Sequence, residues 1–119
     1  MQLDALWNRY AATWSLPADD RPGELAACLT ADVTYCDPQG PVCGPAALSD
    51  YMGQFQEAFP GTRFRIESVL HHHGRALAAW TLRGPGDEVF QRGTSYAVLA
   101  DDGRLSDITG FFEPSAEPE

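Results

Sequence analysis

Hydrophobic positions recur along this chain in two rhythms, and the change between them divides it in two. In the first part Leu3, Leu6, Trp7, Tyr10, Ala11 and Trp14 fall at three- and four-residue spacing, which gathers them on one stripe of a helix. That helix is expected to end before Pro17. A short second helix is predicted next, with Asp20 as its cap, Pro22 in its first turn, and Leu25, Ala26 and Leu29 facing inward. A two-residue period then sets Val33, Tyr35 and Asp37 on one face of a strand, with Thr34 and Cys36 on the other. Gly40-Pro41 and Gly44-Pro45 read as turns. A third amphipathic helix follows, carrying Leu48, Tyr51, Met52, Phe55 and Phe59, and Pro60-Gly61 stops it.

From Arg63 onward the pattern is that of strands. Residues 63–73, 75–83, 88–100 and 104–113 read as four of them, separated by turns at His73-Gly74, Gly84-Pro85-Gly86-Asp87 and Asp101-Asp102-Gly103. Connections this short pair the strands antiparallel, as a meander. Helices first and a curled sheet after predict an α+β fold, with the helices on one sheet face. Val69, Leu77, Tyr96, Val98 and Phe111 are assigned to the other face. They are too apolar to leave it all wet, so a homodimer through the sheet is expected.

Composition narrows the function more by exclusion than by suggestion. At 119 residues the chain makes one domain with a real core. A formal net charge of −9 argues against nucleic acid and anionic membranes as partners, because both need clustered cations. No run approaches the ~18 apolar residues of a membrane span. Met1 to Ala5 lack the basic and apolar regions of a signal peptide, so a cytoplasmic location is expected. Cys28, Cys36 and Cys43 are odd in number without CxxC spacing, which favours reduced thiols over zinc or a disulfide framework. The acidic, proline-containing stretch 114–119 is expected to be disordered, leaving residues 1–113 as the domain.

The most informative stretch is Val33-Thr34-Tyr35-Cys36-Asp37-Pro38. Its alternation aims the Asp37 carboxylate at the same face as an apolar residue and an aromatic ring. Pro38 favours extended geometry at Asp37 and removes a backbone donor where the strand must stop. Such a carboxylate either accepts bonds from the amides of the 39–44 loop or moves a proton. The residues alone leave both open.

In its order of elements the chain resembles the NTF2-like superfamily, in its SnoaL-like and ketosteroid-isomerase-like branches. The resemblance is carried by Trp7-Asn8-Arg9-Tyr10, by Leu29 to Tyr35 leading into Asp37-Pro38, by Gly44-Pro45-Ala46-Ala47-Leu48, and by Asp102-Gly103-Arg104-Leu105. It spans residues 3 to 113. It implies three helices closing a conical pocket against the concave face of a curved, mostly antiparallel sheet. By the resemblance Asp37 matches the catalytic base and Tyr10 the phenolic oxyanion donor. Ser95 stands where those isomerases carry a protonated aspartate, which implies milder proton-transfer chemistry than steroid isomerisation.

Several residues keep a plain structural reading beside the functional one. Tyr10 shares its stripe with Trp7 and Trp14, as a core tyrosine would. Trp14, Tyr35, Phe55, Phe59, Trp80 and Phe112 either line a cavity for a flat or cyclic apolar ligand or fill a core. In a strand His71 and His73 share a face and His72 opposes them, so a surface cluster is favoured over a metal site; at the pocket rim His72 would serve as a proton shuttle. Asp107 with Arg83 or Arg92 suggests an activated-water site of the kind found in epoxide-hydrolysing relatives, but Asp107 should face away from the Phe112 side. Asp87, Asp101 and Asp102 read as turn residues.

The expectation is therefore a cofactor-independent isomerase, cyclase or lyase acting on an apolar carbonyl compound, with no metal. Asp37 would transfer the proton, and Tyr10 and Ser95 would stabilise the enolate. The alternative is a non-catalytic binding or dimerisation protein of the same fold, with Asp37 structural.

Overall fold

A computed structural model describes residues 2–113. The predicted tail, residues 114–119, lies outside the described residues. Helix α1 (Leu3–Thr13) is anchored by Leu6, Trp7, Tyr10 and Ala11, which are all buried. The chain turns through a single 3-10 turn at Ala18–Asp20 into α2 (Arg21–Cys28). Asp20 precedes α2 but makes no side-chain capping bond. Leu25 and Cys28 face the core, whereas Ala26 is exposed. Leu29 is not a helical residue: it opens β1 (Leu29–Asp37) directly, with no linker.

Along β1 the expected alternation is present, with Val33, Tyr35 and Asp37 buried and Thr34 and Cys36 exposed. The Gly40-Pro41 segment is more than a turn. Gly40–Cys43 forms a short strand, β2, antiparallel to β1 with Asp37 opposite Gly40. Gly44, at φ 88°, then swings the chain into α3 (Pro45–Ala58) while its N–H donates to the Val33 carbonyl at 2.8 Å. Only glycine adopts that φ without strain.

The remaining strands are β3 (Arg63–His72), β4 (Arg75–Arg83), β5 (Val89–Leu99) and β6 (Leu105–Phe112). Together the six make one sheet in the order β2-β1-β6-β5-β4-β3. The meander β3 to β6 is antiparallel throughout, and β1 adds to it by a parallel pairing with β6. His73 and Gly74 both take positive φ, at 48° and 75°, which closes the two-residue β3–β4 hairpin.

One expected facing is corrected. A register shift between Ile66 and Ser68 breaks the alternation of β3, so Phe64, Ile66 and Val69 all pack toward the core. Val69 thus leaves the outer face. That face carries Leu70, Leu77 and Phe111, exposed by 67%, 41% and 60%. The inner face is covered by α1, α2 and α3, with Leu25, Leu48, Met52, Ala78, Leu105 and Ile108 sealed between the layers. This is an α+β fold of three helices on a curved six-stranded sheet.

Candidate functional site

Where α1 and α3 diverge over the inner sheet face, the core gives way to a cavity of about 430 Å³. Its walls are mostly aromatic. Trp14 sits at the centre of the packing, its ring 5.5–6.0 Å from those of Tyr35, Tyr51, Phe55 and Phe64. Trp80 crosses Phe64 and Phe112 edge-on at 5.1 and 5.6 Å. All six aromatics singled out from the sequence line this space, with Phe59 and Phe112 partly exposed. The same cavity takes Tyr10, Asp37 and Ser95.

Asp37, 8% exposed, enters from the end of β1. Its Oδ2 accepts from the Tyr35 hydroxyl at 2.7 Å, and Oδ1 accepts from the Gln39 amide at 2.8 Å. The Tyr51 hydroxyl lies 2.9 Å from both oxygens. Both structural and chemical readings of Asp37 thus meet in one geometry, because a loop amide holds the carboxylate while it borders open space. Three donated protons fill three of the roughly four acceptor sites of this carboxylate, which lines the cavity.

The phenols are held in their neutral form. Burial pushes Tyr35 far above the usual phenol range, and the neighbouring Tyr10 and its bond to Asp37 add to this. Burial and the bond to Asp37 push Tyr51 the same way. Tyr10 is also well raised, chiefly by burial. The Trp14 indole opposes part of that effect but falls outside hydrogen-bond geometry, so the Tyr10 hydroxyl has no partner among the described residues. A buried hydroxyl without a partner costs about 1–3 kcal/mol, so its persistence calls for an explanation.

Ser95 comes from β5. Its Oγ accepts from the Trp80 indole N–H at 3.0 Å, which leaves the hydroxyl proton free for another partner. Gly110 of β6 lies beneath this group. A Cβ placed there would sit 3.6 Å from Ser95 Oγ, 3.7 Å from Asp37 Cβ and 3.8 Å from the Tyr35 hydroxyl. The three side chains therefore converge over one bare stretch of backbone.

Other sequence candidates lie elsewhere. Asp107 is on the outer face, as expected, where it accepts from Thr34 Oγ1 at 2.7 Å. Arg83 instead reaches Glu67 and Asp87, and among the described residues neither Arg83 nor Arg92 forms an ion pair with Asp107. The histidine alternation fails because β3 ends at His72 and His73 turns at positive φ, leaving the two Nδ1 atoms 3.1 Å apart. No histidine lines the cavity, so the shuttle role for His72 is not supported. No group of three or more metal-ligating side chains forms among the described residues. The three cysteines are free thiols.

Tyr51, Gln39 and Gly110 are site residues that the sequence did not single out. Tyr51 was visible only as one more aromatic on the α3 stripe, and nothing local distinguishes a phenol that meets a carboxylate from one that packs.

A helix-covered sheet with an aromatic cavity and a carboxylate at its polar end defines a class of small cone-shaped domains. The sequence profile of the SnoaL-like domain family matches residues 7–108, and the chain belongs to that family. Among solved structures it is similar to a SnoaL-like protein from Agrobacterium tumefaciens str. C58, whose assignment as an isomerase is provisional. That match has a TM-score of 0.85 at 21% identity and covers 92% of this chain and 96% of the other. A provisional ketosteroid isomerase from Kribbella flavida DSM 17836 matches with a TM-score of 0.68 at 28% identity, covering 97% and 80%. A provisional polyketide cyclase from Sinorhizobium meliloti matches with a TM-score of 0.70 at 18% identity, covering 89% and 93%. No curated protein matches the chain. No helix among the described residues is long and apolar enough to cross a membrane.

Proposed function

We propose that this protein is a small-molecule enzyme of the isomerase, cyclase or lyase type, which moves a proton at carbon next to the carbonyl of an apolar compound. Asp37 takes the proton through its remaining acceptor site. Tyr10 donates its hydroxyl to the developing enolate oxygen, and Ser95 supplies a second donor. The observation that carries this reading is Asp37, held by three neutral donors at the wall of an aromatic cavity that Tyr10 and Ser95 also line. Burial raises the pKa of Tyr10, so the phenol keeps its proton at neutral pH. The provisional isomerase and cyclase assignments of similar structures agree with such chemistry.

A second reading is favoured by the Gln39 amide bond to Asp37. In it the carboxylate fixes the β1–β2 turn, and the cavity only binds an apolar ligand. In either case the apolar outer face, with Leu70, Leu77 and Phe111 exposed, supports a homodimer through the sheet.

Deuterium exchange at the α-carbons of cyclic and aromatic ketones separates the readings. The wild type should accelerate exchange, and Asp37→Asn, which keeps the shape but removes the base, should abolish it. Ketones that bind without exchange would leave the binding protein; equal exchange by both proteins would remove Asp37 as the base.

A further inference from the structure

The cavity contains one charged side chain and nothing to oppose it. Among the described residues Asp37 is the only ionisable acid or base on the wall besides the three phenols, and no arginine or histidine lines it. The chain has no lysine at all, so no flexible ammonium is available to swing into the mouth. None of its eight arginines lines the cavity, and several are paired elsewhere: Arg9 with Glu24, Arg63 and Arg83 with Asp87, Arg104 with Asp102 and the Ala26 and Leu29 carbonyls. Residues 114–119 contain two glutamates and no cation. The partners of Asp37 are all neutral donors, two phenols and an amide, which is the set that suits a carboxylate anion without cancelling its charge.

From this we infer that the cavity is a charge filter: the end of the ligand that reaches Asp37 is uncharged, a ketone, ester or amide, and molecules with a carboxylate or phosphate at that end are rejected. This rests on reading the cavity as a ligand site. It does not depend on Asp37 acting as a base. Two effects add. The apolar wall strips water from an entering anion without replacing it. The fixed negative charge then repels it across a few ångströms in a medium far less polarisable than water. A neutral carbonyl oxygen meets the opposite situation, since the Ser95 hydroxyl proton is free to donate to it.

Three ligands of one shape test this: 2-acetylnaphthalene, 2-naphthamide and 2-naphthoate, measured by equilibrium dialysis against the full chain at neutral pH. The ketone and the amide should bind alike, with the carboxylate weaker by on the order of 100-fold. In Asp37→Asn the ratio of amide to carboxylate affinity should narrow to about tenfold or less, because only the water-stripping part remains. A carboxylate that binds within threefold of the amide to wild type overturns the filter, as does a ratio left unchanged in Asp37→Asn. Binding of none of the three also counts against it, because a cavity of this size and lining should take a bicyclic arene. The wild-type comparison stands alone should the variant fail to fold. The outcome is separable from the proton-transfer reading. Absence of ketone exchange by the wild type, with the carboxylate still discriminated against, removes only the base; exchange that depends on Asp37, with amide and carboxylate binding alike, removes only the filter.

Discussion

Alkali should unfold this protein through Tyr10 and Tyr35. In the unfolded chain a phenol ionises near pH 10. In the fold both phenols are held far above that, first by burial and, for Tyr35, also by its neighbour Tyr10 and its bond to Asp37. A folded-state pKa that is raised contributes stability in full below the unfolded value. That stability is lost as the pH climbs from there toward the folded value, because the unfolded chain sheds protons that the fold retains. Each phenol contributes a slope of about 1.36 kcal/mol per pH unit, so the two together give about 2.7 kcal/mol per unit. Tyr51 shifts in the same direction but is only half-buried, and its omission makes that slope a floor. Against a domain stability of roughly 5–15 kcal/mol, two to three units beyond pH 10 remove about 5–8 kcal/mol. Tyrosinate absorbance followed beside far-ultraviolet circular dichroism checks this. The slow-titrating phenols should ionise in the same steep transition that abolishes the helical signal, and Tyr35→Phe should make the alkaline limb shallower. Ionisation of Tyr10 and Tyr35 near pH 10 with the fold intact would refute the reasoning, since neither phenol would then be sealed as described.

Two further perturbations probe the site wall and the outer face. A Cβ at Gly93 would come 2.5 Å from Trp80 Cη2 and 2.6 Å from the Phe111 carbonyl oxygen, so Gly93→Ala should cost about 1–3 kcal/mol in urea denaturation. It should also dislodge the indole from Ser95; unchanged stability would mean that the ring slides freely. Phe111→Asp, at an exposed outer-face position, should convert a dimer to a monomer in sedimentation equilibrium without changing monomer stability. A wild type that sediments as a monomer would rule out the sheet-mediated dimer.

The layout of the fold could be read from sequence because periodicity and punctuation agreed. The 3.6-residue stripes gave α1 and α3, and the hairpin turns gave the meander to within a residue or so at each end. The misses have local physical causes. Strand β2 was hidden because glycine and proline argue against a strand, yet Pro41 is tolerated on an edge where its missing N–H faces no partner. Leu29 continued the helical spacing of Leu25, and only the abrupt start of β1 moved it. Val69 changed faces through a bulge, which alternation cannot foresee. The parallel pairing of β1 with β6 joins segments about seventy residues apart and leaves no local trace. At the site, the facing of Asp37 was legible from a two-residue period, whereas the bond from Tyr51 depends on how α3 crosses β1.

The placement of the indoles has a practical consequence for spectroscopy. The chain has three tryptophans, and Trp7, Trp14 and Trp80 all border the aromatic cavity. Intrinsic emission from this molecule is therefore a local signal, reporting on that cavity and the core packed against it. Ligand entry, loss of the Trp80–Ser95 bond or a change in the charge of Asp37 should each alter it. Association through the opposite sheet face should pass almost unseen, because no indole lies there. An emission titration and a sedimentation experiment on this protein thus report independent events, and agreement between them would mean that cavity and outer face are energetically coupled through the sheet they share.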